Sequence, residues 1–86
     1  MNHTPSLEQH AFLAGLDRET KLAVARAYRA RRQLGETNYP AMMAALEAFR
    51  AAKPAASDAE ARQAVVLIVA RASQQAPGWF WRGVGL

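Results

Sequence analysis

The stretch SDAEARQAVVLIV, residues 57–69, carries the two strongest structural signals of the chain. Its first four residues form a capping box, in which the Ser57 side chain accepts from the backbone amide of Glu60 and the Glu60 side chain reaches back to the amide of Ser57. Five consecutive large apolar residues follow at 65–69. Because a capping box begins a helix, the pattern predicts a helix over 58–74 that contains the apolar run.

The apolar run 65–69 is rich in β-branched residues, so a buried strand is the alternative interpretation. Helix is favoured because a lone strand could not pair its backbone amides and carbonyls, and the sequence offers no partner strand. Five successive apolar residues cover most of the circumference of a helix. We therefore expect helix 58–74 to lie centrally, with neighbours on more than one side.

Residues that begin and end helices divide the rest of the chain. Asp17 is a typical N-cap, Gly35 is a typical residue beyond a helix C-terminus, and Pro40 suits a first helical turn. Together with Thr4-Pro5 near the N-terminus, these signals predict three more helices, at about 5–15, 18–34 and 40–53. The predicted fold class is all-α.

Residues 75–86 hold the aromatic run Trp79-Phe80-Trp81 among prolines and glycines, which disfavour a regular helix. We expect a non-helical aromatic tail that packs on or near the helices. The chain has 86 residues, 51% of them hydrophobic, but 20 of these are alanine. The prediction is therefore one domain over 1–86, a compact four-helix bundle in which alanines let the helices approach closely and the tail helps to cover the core.

The predicted helix 18–34 carries most of the positive charge. The chain has 11 Lys and Arg residues against 7 Asp and Glu, for a net charge of +4. Six of the cations lie on this helix, where Glu19 is the only acidic residue. At about 100° per residue, five of them gather on or beside one side of the helix. We call this side the arginine face: Arg18, Lys21, Arg26, Arg29 and Arg32.

The side of helix 18–34 opposite the arginine face is apolar, and we expect it to face the core. It comprises Val24, Tyr28, Leu34 and the alanines at 23, 27 and 30. Arg31 projects near this apolar side. We expect its side chain to extend past the bundle to water, or to pair with a carboxylate on a neighbouring helix at Glu47, Asp58 or Glu60.

The arginine face and the aromatic tail are the candidates for partner binding. Clustered arginines combine positive potential with bidentate contacts to anions, and arginine and tryptophan are frequent anchors of protein interfaces. Methionine repacks easily, so Met43, which lies beside the core face of helix 40–53, suits an exposed contact or a homodimer seam. The predicted contact residues are Arg18, Lys21, Arg26, Arg29, Arg32, Met43, Trp79, Trp81 and Arg82.

These residues predict a small, non-catalytic binding or regulatory module that contacts another protein, one with an acidic surface. The alternative is sequence-tolerant binding of nucleic-acid phosphates by the arginine face. Specific base reading is not expected, because helix 40–53 has almost no Arg, Asn or Gln in its first turns. A purely structural role also stays open, in which the arginine face is only solvated and the tail only covers the core.

Several classes of function are not expected. The chain has no Cys, and neither His3 nor His10 has a second histidine or a Ser-Asp partner at a useful spacing. We therefore predict no enzymatic activity, no metal site and no cofactor. The sequence has neither a secretory-signal pattern nor an apolar run of about 18 residues, so we expect a cytoplasmic protein without a membrane role.

Overall fold

The computed structural model describes residues 15–80, which contain three long helices and one short helical turn. No strand occurs within this range. The all-α class is confirmed. The predicted helix over 5–15 lies outside the described residues. We label the elements in chain order as α1 Arg18–Gln33, α2 Asn38–Ala52, α3 Asp58–Gln75 and α4 Pro77–Phe80.

Helix α1 begins and ends at the predicted residues. The Asp17 carboxylate accepts hydrogen bonds from the backbone amide of Thr20 at 2.9 Å and from its hydroxyl at 2.8 Å. At the other end, Gly35 has a φ of 88°. Its amide donates to the Arg32 carbonyl, and the amide of Glu36 donates to the Arg31 carbonyl. This double pattern is a Schellman motif, which needs the left-handed conformation that glycine adopts without strain.

The capping box at the start of α3 is confirmed. Ser57 Oγ accepts from the Glu60 amide at 3.1 Å, and the Ser57 amide donates to Glu60 Oε1 at 2.9 Å. Helix α3 contacts α1, α2 and α4, so the expected neighbours on more than one side are present. It is not the centre of the described helices, because α1 and α2 contact one another more extensively than either contacts α3. The apolar run is not buried all round, however, because Val66 is 53% exposed.

Helix α2 begins two residues earlier than predicted, at Asn38, with Thr37 as its N-cap and no side-chain capping bond. The Asn38 side chain is used elsewhere. Its Oδ1 accepts a hydrogen bond of 2.6 Å from the hydroxyl of Tyr28, which is buried on α1. This bond satisfies a buried phenol and connects the two helices next to the loop that joins them.

The expected non-helical tail is corrected at residues 77–80, which form the helical turn α4. Helix α3 ends because Ala76 leaves helical geometry, with φ −136° and ψ 58°. Pro77 then takes the first position of a new turn, where its missing amide is no loss. Phe80 closes this turn by donating its amide to the Ala76 carbonyl at 2.8 Å. Residues 81–86 lie outside the described part of the chain.

The core is built largely from alanine and a few aromatic residues. Five of the eleven buried hydrophobic residues in the described range are alanines, and Phe80 is fully buried among them. The ring of Phe80 stacks on Tyr28, with 5.5 Å between centroids and 15° between planes. Alanines thus make up much of the core. An aromatic residue from the C-terminal segment, Phe80, helps to cover it. The buried residues are Val24, Ala25, Tyr28, Ala41, Ala45, Phe49, Ala61, Ala64, Val65, Ile68 and Phe80.

The predicted apolar side of α1 is only half correct. Val24 and Tyr28 are buried, but the alanines at 23 and 30 are exposed and Leu34 is 72% exposed. An alanine methyl gains little from burial, so the larger Tyr28, stacked on Phe80, governs how the helix is turned. Part of the arginine face consequently points toward α3. Arg31 extends to water, with its side chain 49% exposed, as in the first of its two expected placements. It pairs with Glu36 at 3.2 Å and not with Glu47, Asp58 or Glu60 on a neighbouring helix.

Candidate functional site: a basic groove between α1 and α3

An open groove of about 610 Å³ runs between α1 and the C-terminal half of α3, and we call it the α1–α3 groove. Its volume lies within the range typical of ligand pockets. Five lining residues come from α1, four from α3, and two from the segment that follows α3. They are Arg18, Lys21, Leu22, Ala25 and Arg26, then Ile68, Arg71, Ala72 and Gln75, and finally Ala76 and Trp79.

The floor of the groove is apolar. Ala25 and Ile68, where α1 and α3 approach one another, are both buried, at 3% exposure each. Beyond them, Ala72 and Ala76 put only methyl groups on the α3 side. The depression exists because short side chains line it where larger ones would fill it.

The rim of the groove is cationic. Of the eleven lining residues that the structure describes, four carry a positive charge and none carries a carboxylate. Charges of one sign beside a low-dielectric floor reinforce one another and attract anions into the groove. Arg18, Lys21 and Arg26 belong to the predicted arginine face, and Arg71 of α3 is added by the fold.

Trp79 closes one end of the groove and is itself held by Arg29. The Arg29 Nε donates to the Trp79 carbonyl at 3.0 Å, and the Arg29 guanidinium carbon lies 4.9 Å from the centre of the indole ring. This cation–π contact contributes about 0.5–2 kcal/mol in a half-buried setting. Arg29 is predicted to contact a partner, but in the structure it holds Trp79 at the end of the groove.

Two further predicted contact residues in the described range, Arg32 and Met43, do not line the groove. Arg32 is half-buried, and its Nε is buried without a hydrogen-bond partner. Met43 is 40% exposed on α2 and does not line the groove. Trp81 and Arg82 fall outside the described residues. The structure therefore brings together Arg18, Lys21, Arg26 and Trp79 out of the nine residues predicted.

The residues that α3 contributes to the groove were not predicted from the sequence. Ile68, Arg71, Ala72 and Gln75 are spaced by three or four residues, which places them on one face of a helix. That spacing was a usable signal. The apolar run 65–69 dominates this part of the sequence, and Arg71 is the only charged residue in the turn that follows it.

Two carboxylates at helix N-termini form ion pairs within the fold. Hydrogen bonds from Thr20, followed by the one from Lys53, hold the pKa of Asp17 well below its ordinary value. Lys53 Nζ lies 3.1 Å from Asp17 Oδ1. Arg50 likewise bonds Asp58 and lowers its pKa. Their ion-pair partners, Arg50 and Lys53, do not belong to the rim of the groove.

Between residues 15 and 80, no three His, Asp or Glu side chains gather as a metal site would require. Among α1 to α4, no helix is long and apolar enough to cross a membrane.

Comparison of the chain with protein-family models, with curated proteins and with solved structures finds no match. Inference about function consequently depends on the shape and charge of the α1–α3 groove.

Proposed function

We propose that the protein is a non-catalytic binding module and that the α1–α3 groove takes an acidic segment of another protein. One observation carries this proposal: among the described residues that line the groove, four are cations and none is a carboxylate, and they border a floor of apolar side chains. Such a groove complements a segment that offers carboxylates beside apolar side chains. Charge of one sign would favour encounter with an acidic partner, and the apolar floor would slow its release.

Binding of nucleic-acid phosphates is the weaker alternative. A phosphate backbone would contact the rim, but it has no apolar groups to place on Leu22, Ile68 and Ala72. The arginine face is also smaller than its sequence suggested, because Arg29 holds Trp79. An acidic protein segment uses both the rim and the floor, which is why we prefer it.

The test is photo-crosslinking in the native cell, with a photoreactive amino acid in place of Gln75, an exposed lining residue. We expect the full-length chain to form a covalent adduct with another protein. Arg26→Glu should reduce its yield about tenfold or more, because reversal of a rim charge repels an acidic segment. Nuclease treatment should leave the adduct unchanged.

The matched control is Arg62→Glu, a reversal of an exposed charge on α3 that does not line the groove. This variant should retain the adduct, and circular dichroism should show the same helix content for both variants. Equal yields from Arg26→Glu and Arg62→Glu would contradict the proposal. So would adducts to nucleic acid alone, accompanied by steeply salt-dependent binding of a random DNA duplex.

A further inference from the structure

The walls of the α1–α3 groove limit the conformation of what can bind there. Both walls are helices, so their backbone amides and carbonyls are paired internally and offer no edge to an extended segment. An extended segment would lay its own unpaired backbone groups on the apolar floor, which costs free energy for each group that loses water. A helical segment brings its backbone hydrogen bonds already made.

The small residues on the floor point to the same conformation. Ala25, Ala72 and Ala76 lie where a neighbouring helix would meet α1 and α3. Alanine at contact positions lets a third helix approach at the short end of the 8–10 Å range of interaxial distances. Since these three alanines offer only methyl groups, the occupant must supply bulky side chains over them.

We propose that the segment bound in the α1–α3 groove is an amphipathic helix of the partner protein, with a stripe of large apolar residues flanked by carboxylates. This inference rests on the proposed function, since it specifies the partner of the same site. It also predicts that binding adds a helix beside α1 and α3.

The positions of the cations specify where the carboxylates of the partner lie. Arg18 and Arg26 are eight residues apart on α1, which is about 12 Å along a helix. A helix that lies along the groove would meet both with carboxylates seven or eight residues apart on one flank. Arg71, which already has a partner within the chain, is on the opposite wall and adds positive potential there. Gln75 and Trp79 border the apolar stripe at the end of the groove.

The test uses synthetic peptides of about 18 residues, roughly 27 Å long when helical. The first peptide carries leucines at spacings of three and four, with glutamates on both flanks. The second replaces the glutamates by lysines, and the third places a proline in the middle of the first. Fluorescence anisotropy with the full-length chain measures their affinities. We expect the first peptide to bind at least about tenfold more tightly than either of the others.

Variants of the groove refine this test. Arg26→Glu and Arg71→Glu should each weaken binding of the glutamate peptide about tenfold, while Arg62→Glu should leave it unchanged. The proline peptide separates helix from extended chain, because it keeps the composition and charge of the first peptide and loses only the helix.

Four results would overturn the inference. One is equal binding of the proline and glutamate peptides. A second is failure of every peptide while the adduct at position 75 persists, which would leave the proposed function standing. The third and fourth are adducts from position 75 to residues 5–15 of the same chain or to a second copy, which would assign the groove to the protein itself. Loss of both the peptide signal and the adduct would refute both proposals.

Discussion

The two sides of α1 are packed in opposite ways. On the side of α2, an ion pair between Asp17 and Lys53 closes one end and a hydrogen bond from Tyr28 to Asn38 closes the other, and the two helices are in extensive contact. On the side of α3, the helices touch more sparsely and leave the α1–α3 groove. We call these the closed side and the open side.

The difference shows that alanine alone does not decide whether helices close on one another. Both sides are rich in alanine. On the closed side, opposite charges and a part-buried hydrogen bond accompany the small residues and favour close contact. On the open side, long cations border the small residues and repel one another across the groove, which separates the described parts of α1 and α3. Alanine permits contact, and charge then selects where it occurs.

The aromatic contact at the end of the open side is the point where the structure is most vulnerable. Phe80 is fully buried and stacks on Tyr28. Phe80→Ala should lower the free energy of unfolding by about 3–5 kcal/mol, because the cavity adds to the lost burial. Such a loss is a large part of the stability of a small domain, so many molecules would be unfolded at 25 °C. Urea unfolding followed by circular dichroism measures the effect.

Val66→Ala is the control for Phe80→Ala, because Val66 is 53% exposed and its truncation should cost less than about 0.5 kcal/mol. If both variants were equally stable, α4 would not hold the open side together, and the groove would lose its end wall as a defined structure.

A larger side chain in the core should disrupt the packing of the closed side. Ala45 is completely buried on α2, between Ala41 and Phe49 on the same face. Ala45→Leu should destabilise by about 1–3 kcal/mol, since the surrounding helices must move apart to admit the side chain. Thermal unfolding gives the comparison with Ala51→Leu, the same change at an exposed position of α2, for which little effect is expected. If Ala45→Leu left the unfolding temperature unchanged, the packing of the closed side would have room for a larger side chain.

The local structure of this protein was readable in the sequence, and the relation between its helices was not. Ser57 with Glu60, Asp17 and Gly35 act within a few residues of themselves, so their capping roles follow from spacing alone. The rotation of α1 about its own axis depends on the stacking of Tyr28 on Phe80, a residue far along the chain. This contact contributes more than the burial of alanine methyl groups. Three of the rim cations were predicted, but Arg71 joins them only because α3 packs beside α1.

The hydrogen bond between Tyr28 and Asn38 is a smaller part of the closed side. Tyr28→Phe keeps the ring and its stack on Phe80 and removes only the hydroxyl, so a loss of about 1 kcal/mol is expected. A double-mutant cycle with Asn38→Ala isolates the bond from other effects. If the two changes were strictly additive in urea unfolding, the bond would contribute nothing to joining α1 and α2.

The charge of Asp17 has the smallest expected effect and gives the closed side a dependence on pH. Thr20 and Lys53 hold the pKa of Asp17 below its ordinary value in the folded state, so the folded state binds this proton less readily than the unfolded state. The resulting stability is complete above about pH 4, the ordinary pKa, and falls as pH drops toward the lower pKa of the folded state.

Asp17→Asn keeps an oxygen acceptor for Thr20 but has no charge to titrate. The difference in free energy of unfolding between the natural chain and this variant should therefore be greatest near pH 7 and should shrink below about pH 4, with the other carboxylates cancelling in the difference. Urea unfolding over a series of pH values measures it. Because the side chains of Asp17 and Lys53 are 49% and 42% exposed, added salt at pH 7 should remove part of the same difference. A difference independent of both pH and salt would show that Asp17 stabilises α1 as a hydrogen-bond acceptor alone, and that charge has no part in closing α1 against α2.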